Sequence, residues 1–329
     1  MNNKFKSLLI FWVIVIGVFS ILPLFLGAYF VHLSIVILIY ASLTLAISIL
    51  ARTGQISIGQ AAFFGIGAYT TAILEKVGFN PILGFIFAGI VSALFALLLG
   101  LITLRLKGIY FSIATLCFAQ TLLLIANRER TILGGATGII VPPLFGNKLF
   151  PNYYFSLSLT IAFLIVDYLL YYSKMGYAST VIRHDERVAN SIGINPTKYK
   201  ILAFVISSFL TGIIGAYYIH YVTFTVPDEI FATGTSVAIL AMAIFGGIYT
   251  AEGPFIGAVI LKIIEEYLRL KIKYGHAIIY GLVLILTILF MPNGVVGLID
   301  KLKSACFFIK KKKWSWNETF RDKRNRKKI

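Results

Sequence analysis

Apolar residues run along most of this chain in long blocks, and polar residues enter mainly as short punctuation between them. From Leu8 to Ile299 the blocks come close to the roughly 20 residues that cross a bilayer as a helix. About ten such stretches can be marked off: 8–27, 30–50, 55–74, 82–104, 109–126, 155–172, 200–222, 235–249, 253–268 and 277–299. The pattern predicts an all-α polytopic membrane protein of about ten transmembrane helices. The eighth and ninth stretches are short and marked by glycine, which predicts tilted, broken or re-entrant segments. Two connections exceed a simple turn. One, 127–153, contains LGGATGI (133–139) and VPPLFGN (141–147); the other spans 173–199. The expected organisation is a transmembrane unit over 1–300, with 173–199 as its large loop, and a tail over 301–329.

Composition agrees with the pattern. Hydrophobic residues make up 59% of the 329 positions and charged residues 13%, which is more apolar surface than a soluble domain can hide. The first block follows Lys4 and Lys6 as a signal peptide would. Its core is long, contains Pro23, and no small-x-small cleavage site follows, so a retained first span is expected. Cys117 and Cys306 are too far apart in sequence to suggest a disulfide frame or a metal site.

The net charge of +17 is concentrated at the end of the chain. From Lys301 onward, 12 Lys or Arg stand against Glu318 and Asp322. After a membrane span, such a tail reads as a cytoplasmic segment facing anionic lipid rather than nucleic acid. Arg52, Arg105, Lys107, Lys174, Arg183, Arg187, Lys198 and Lys200 fall in loops on the same side. The opposite loops carry Lys76, Arg128, Arg130, Lys148, Arg269, Lys271 and Lys273, diluted by Glu75, Glu129, Asp228, Glu229, Glu265 and Glu266. The basic excess predicts both termini in the cytoplasm and an even number of spans.

The sharpest interruption is RTGQISIGQAAFFGIGAYT (52–70). Placed on a helix, Gly54, Ser57, Ala61, Gly65 and Ala68 share one face, a small-residue seam on which another helix could pack closely. Gln55 and Gln60 lie apart around that helix, and an unpartnered amide in hydrocarbon costs several kcal/mol, so they are expected at a helix interface or a wet cavity. A related punctuation appears in FVISSFLTGIIGAYYIHY (204–221), where Gly212, Gly215, Ala216 and Tyr217 partly answer Phe64, Gly67, Ala68 and Tyr69. AIFGGIYTAEGPFIGAVI (243–260) then sets Gly246, Gly247, Gly253, Pro254 and Gly257 between two short apolar runs. Glycine-interrupted segments in both halves of an apolar chain predict an internal repeat around a central substrate site.

Other classes lack their signatures. The chain has no G-x-x-x-x-G-K-[ST] and no H-E-x-x-H, and its four histidines are scattered. It is therefore not expected to be an enzyme or to hold a nucleotide, cofactor or metal. Asp167 is the clearest ionisable residue inside a span, and one carboxylate near a helix end anchors more often than it relays protons. An ion-coupled secondary carrier, the reading from another class, would show more buried charge. The loop segment IRHDERVANSIGINPTKYKILAF (182–204) predicts a short helix with Asp185 and Glu186 at its start, a turn at Gly193–Pro196, and then a span. Ala189 and Gly193 suggest a small, flat docking surface.

Several of these segments together resemble a known family, the membrane-spanning permeases of bacterial branched-chain amino acid ABC importers, of the LivM type. GQISIGQAAFFGIGAY (54–69), KGIYFSIATLCFAQ (107–120), LGGATGI, the 182–204 loop, VPDEIF (226–231), FGGIYTAEGPFIGAVI (245–260) and FMPNGVVGLI (290–299) match collinearly. The resemblance implies a type II-like ABC importer fold and a second, related permease beside this one. It implies two ATPase subunits that bind ATP and magnesium, and an external substrate-binding protein. It implies location in the cytoplasmic (inner) membrane. Leucine, isoleucine and valine are the substrates the resemblance implies, with urea, short amides or other amino acids, which related permeases move, as the alternative.

The same resemblance makes the 173–199 loop the element that docks on the ATPase, with Arg183, Asp185, Glu186, Arg187, Ala189 and Gly193 as its candidate residues. Importer permeases carry E-A-A-x-x-x-G there; here only Ala189 and Gly193 match, and Glu186 lies one position early. For alternating access, Gln55, Ser57, Gln60, Thr115 and Gln120 are the candidate polar lining of the path. Phe63, Phe64, Tyr110 and Phe111 are its candidate apolar wall. Gly54, Ala61, Gly65, Ala68, Gly212 and Gly215 are expected to serve helix packing, and any of the path residues could equally be ordinary packing residues.

Overall fold

The computed structural model describes Trp12 and residues 17–104, 106, 108–146, 148–272, 275–290 and 294–297. Lys4, Lys6, Arg105, Lys107, Asn147, Lys273, Cys306, the 301–329 tail and parts of the 8–27 and 277–299 stretches lie outside the described residues. Helix dominates. Helical residues 17–25, labelled α1, lead into α2 (Ala28–Ala51), α3 (Gln60–Lys76), α4 (Pro81–Thr103) and α5 (Ile109–Arg128). Next come α6 (Leu149–Tyr171), the short α7 (Lys174–His184) and α8 (Glu186–Ser191), and the 27-residue α9 (Pro196–Val222). The chain continues through α10 (Pro227–Ile230), α11 (Thr233–Gly246), α12 (Gly253–Lys271) and α13 (His276–Phe290).

Local chemistry sets several of these boundaries. Asn80 accepts a hydrogen bond from the Ile82 N–H with Pro81 at the first helical position, and Asn195 and Pro196 repeat the device on α9, where the acceptor takes the Lys198 N–H. Ser173 and Asp185 cap α7 and α8 in the same way. Helix α2 is buried along most of its length and, with α9, forms the centre. α6, α11 and α12 pack on α2, and α3 and α4 on α9.

By length and hydropathy, six helical stretches among the described residues qualify as membrane spans: α2, α4, α5, α6, α9 and Pro227–Gly246. Of the four other expected stretches, α3 has only 17 residues, the later part of α12 carries Lys262, Glu265, Glu266 and Arg269, and 8–27 and 277–299 lie partly outside the described residues. The third stretch also begins later than expected. Residues 55–59 are not helical, so Gly54 and Ser57 do not share a helix face with Ala61, Gly65 and Ala68. Gly54 has φ +85°, a left-handed conformation that ends the turn after α2 and that only glycine adopts without strain.

The two halves with related glycine endings do not form equivalent breaks. Residues 204–221 lie inside the uninterrupted α9. Instead they cross α3: a Cβ on Gly67 would lie 2.0 Å from the Gly212 carbonyl oxygen, and one on Gly215 would lie 2.0 Å from that of Phe64. The backbones touch where side chains are missing. A second close crossing joins α11 to α12, where a Cβ on Gly257 would lie 2.1 Å from the Met242 carbonyl oxygen; the turn 247–252 separates these helices.

The 127–153 connection folds back on α9. Strand β1 (Ile139–Ile140) pairs antiparallel with β2 (Phe224–Thr225), placing Ile139 opposite Thr225. His220 approaches the Pro142 carbonyl at 3.0 Å, and the Tyr217 hydroxyl donates to the Asn152 carbonyl at 2.8 Å.

Candidate functional site

The stretch between α2 and α3 is an extended segment held inside the fold. Ser112 of α5 donates to the Ile56 carbonyl at 2.5 Å, and Thr115, one turn further on, accepts from the Ile58 N–H at 3.2 Å. Ser57 accepts from the Gly59 N–H, and Ser236 of α11 accepts from the Ala61 N–H at 2.8 Å. Hydroxyls from two neighbouring helices thus satisfy backbone groups that water would otherwise have to meet. Gly59 is required by proximity, since a Cβ there would sit 2.2 Å from the Thr115 carbonyl oxygen.

Gln55, Ser57, Gln60, Phe63 and Thr115 are all buried and lie together around the start of α3. The Gln60 side chain donates through Nε2 to Ser207 at 3.2 Å and Thr211 at 2.5 Å, both on α9. Its Oε1, the Gln55 Oε1 and the Ser208 hydroxyl are buried without a hydrogen-bond partner among the described residues. Phe63 packs against Phe118 and Phe204, and Phe111 also packs against Phe204. Phe64 turns toward Tyr218. Gln120 is half-buried and reaches Thr233 at 2.6 Å. Tyr110 does not join this group: it is 67% exposed near the start of α5, two residues past the Gly108 turn. Ala61 and Ala68 are buried in the interior, and a Cβ on Gly65 would meet the Phe231 ring at 2.2 Å.

The expected loop folds as α7 and α8. Asp185 caps α8 by accepting the Arg187 N–H at 2.7 Å. Glu186 holds the buried Lys200 at the base of α9, at 2.7 Å. Arg183 lies over the Tyr249 ring at 4.0 Å, and its Cα approaches Gly54, so α7 touches both the 247–252 turn and the break before α3. Ala189 departs from expectation. It is fully buried among Ala178, Ile182, Ile194 and Tyr199, so it packs α8 onto the protein and offers no docking surface. Gly193, at φ +83°, stops the helix: its N–H bonds to the Asn190 carbonyl and that of Ile194 to the Ala189 carbonyl. From the cap to the stop of α8, Asp185, Arg187, Val188, Asn190, Ser191, Ile192 and Gly193 are exposed.

Sequence reasoning missed several participants. Arg52, expected as a loop charge, is buried and paired with Asp167 at 2.8 Å. Lys200 and Lys262 are buried as well, so more charge lies inside than the sequence suggests, and each of these cations has a carboxylate partner. The Ser207 and Thr211 hydroxyls sit one helical turn apart, a spacing visible in FVISSFLTG. Ser236 left no signal of its own.

Comparison with known proteins matches residues 29–291 to the family described as branched-chain amino acid transport system / permease component. The high-affinity branched-chain amino acid transport system permease protein LivM of Salmonella typhimurium is 29% identical over 311 residues, covering 84% of this chain and 72% of that protein. LivM of Escherichia coli is 27% identical, covering 81% and 69%. The permease protein LivH of Escherichia coli is 30% identical over a shorter 139 residues, 42% of this chain and 44% of its own length. No solved structure matches. With most of its length matched, the chain belongs to the branched-chain amino acid transport system permease family.

Proposed function

We propose that the chain is the membrane permease subunit of an ATP-driven importer, moving leucine, isoleucine and valine across the cytoplasmic membrane by alternating access. The family match over residues 29–291 carries this reading. Ten crossings are part of it: the six apolar helices, the shorter α3 and α12, and the stretches 8–27 and 277–299. Both termini then face the cytoplasm, as does α8.

The partners in this reading are a second permease, two ATPases that bind ATP and magnesium, and an external binding protein that selects the substrate. Likeness to both LivM and LivH supports a two-permease assembly. On the ATPase side, α8 presents exposed Val188 and Ile192 one turn apart, an apolar pair suited to a cleft. Its inner side is anchored by Ala189 and by Glu186–Lys200, so a push on α8 reaches α9. Helix α9 in turn holds Gln60 through Ser207 and Thr211. Gln55, Ser57, Gln60, Thr115 and Gln120 would then line the path, with Phe63, Phe64 and Phe111 as apolar wall. Measuring leucine uptake with ATP held constant tests the reading. ATP-dependent uptake that survives a protonophore supports it, whereas collapse with the protonophore would instead indicate an ion-coupled carrier.

A further inference from the structure

Helix α12 carries charge where a membrane helix should not. Lys262 lies nine residues into it, about 13 Å from its start at a rise of 1.5 Å per residue. Its ammonium sits 3.7 Å over the ring of Tyr40, which is close to the midpoint of the 24-residue α2. A cation therefore stands beside the middle of α2, one of the six candidate spans. Glu265 pairs with it at 3.0 Å, yet the Glu265 side chain remains 35% exposed. Ile263 and Tyr267, flanking the pair on α12, are exposed, so this face opens outward from the fold.

An open carboxylate beside the middle of a span is not stable against lipid; such groups face a water-filled path or another polar surface. As a device for stability the pair is also a poor choice, because apolar residues of similar size in place of a buried pair are often neutral or stabilising. The donor set is mixed in a specific way. Lys262 has three N–H donors, of which Glu265 takes one and the Tyr40 face offers no lone pair. Glu265 has acceptor capacity beyond its bond to Lys262.

We infer that Lys262 and Glu265 form a zwitterion-holding subsite beside the middle of α2, where Lys262 takes the carboxylate of a passing α-amino acid and Glu265 its ammonium. The subsite rests on the importer reading and adds a second wall to the path, on α12 rather than around α3. It also explains the outward opening of the pair: the open side is where the substrate passes.

The test uses the whole complex purified from its own membranes and reconstituted in proteoliposomes with internal ATP, the external binding protein and radiolabelled leucine. Lys262→Met is expected to lower the maximal uptake rate by about tenfold or more, the effect of losing one hydrogen bond to a charged group. The half-saturating leucine concentration, set by capture outside, should stay unchanged. Lys262→Arg should recover part of the rate, and the double variant Lys262→Met with Glu265→Leu should remain as impaired as the single one. Wild-type uptake by Lys262→Met overturns the subsite while leaving the importer reading intact. So does recovery in the double variant, which would mark a structural pair. Where Lys262→Met does not assemble, Glu265→Gln carries the same expectation and the same overturning result. A wild-type complex without ATP-driven uptake overturns the importer reading and the subsite with it.

Discussion

Arg52 and Asp167 form an ion pair sealed inside the protein, with guanidinium and carboxylate 2.8 Å apart and both residues almost wholly buried. The same arginine donates to the Thr250 carbonyl at 3.0 Å, receives support from Ser48, and lies 4.9 Å from the centre of the Tyr171 ring. One side chain thereby ties the end of α2 to α6 and to the turn before α12. Arg183 on Tyr249 clamps that same turn from the α7 side.

Breaking the pair from either side leaves a buried charge without its counterpart. Asp167→Asn or Arg52→Met should destabilise the protein by about 3–5 kcal/mol, whereas joining Arg52→Met to Asp167→Leu should recover most of the loss. Thermal unfolding in detergent, followed by size-exclusion fluorescence, reads this directly. Single variants as stable as the parent would show that the pair contributes nothing to the fold.

The α3–α9 crossing should tolerate no side chain. Gly67→Ala and Gly215→Ala place a Cβ about 2.0 Å from a backbone oxygen, and overpacking of this kind costs typically 1–3 kcal/mol. Leucine at either position should abolish the folded peak. Gly234→Ala, where nothing lies within 4 Å, should behave as the parent. A normal melting temperature for Gly67→Leu would mean that the helices are not in contact there.

Gln60 separates a path role from ordinary lipid-facing sites. Gln60→Leu removes the amide that holds Ser207 and Thr211 and should reduce leucine uptake about tenfold, the effect of leaving buried polar groups unpaired. Leu97→Ala, on the exposed side of α4, should leave uptake within about twofold, as surface changes usually do. Equal tolerance of the two changes would contradict the path assignment.

On α8, Ile192→Asp should leave the chain inserted and folded while the ATPases of the proposed complex hydrolyse ATP without driving uptake. Gly193→Val acts differently: forcing a branched residue to φ +83° should strain the turn by roughly 1–2 kcal/mol and loosen α8 from Ala178 and Ile182. Comparing uptake with ATP hydrolysis for both variants distinguishes the exposed docking residue from the buried stop. Unchanged uptake in Ile192→Asp would remove α8 from the coupling path.

Much of the architecture was legible because a bilayer imposes a coarse rule: long apolar blocks become helices. The rule fails where the chain breaks it locally. Gln55 to Gly59 reads as the start of a span by hydropathy, and the hydroxyls of Ser112 and Thr115, distant in sequence, let its backbone stay extended in the interior, while Ser236 meets the Ala61 N–H at the start of α3. The small residues of 204–221 were legible as a packing surface, but their partner, α3, was not. Lys262 shows a third limit. It lies nine residues into α12 in an apolar run and draws no notice until Tyr40, from more than 200 positions away, is placed beneath it.

The most direct measurement is affinity purification of the tagged chain from its own membranes in mild detergent, with every co-eluting protein identified by mass spectrometry. The expected result is a stoichiometric assembly with a second polytopic permease and a pair of P-loop ATPases. A chain that elutes alone, in good yield and in several gentle detergents, would contradict the account of an importer subunit.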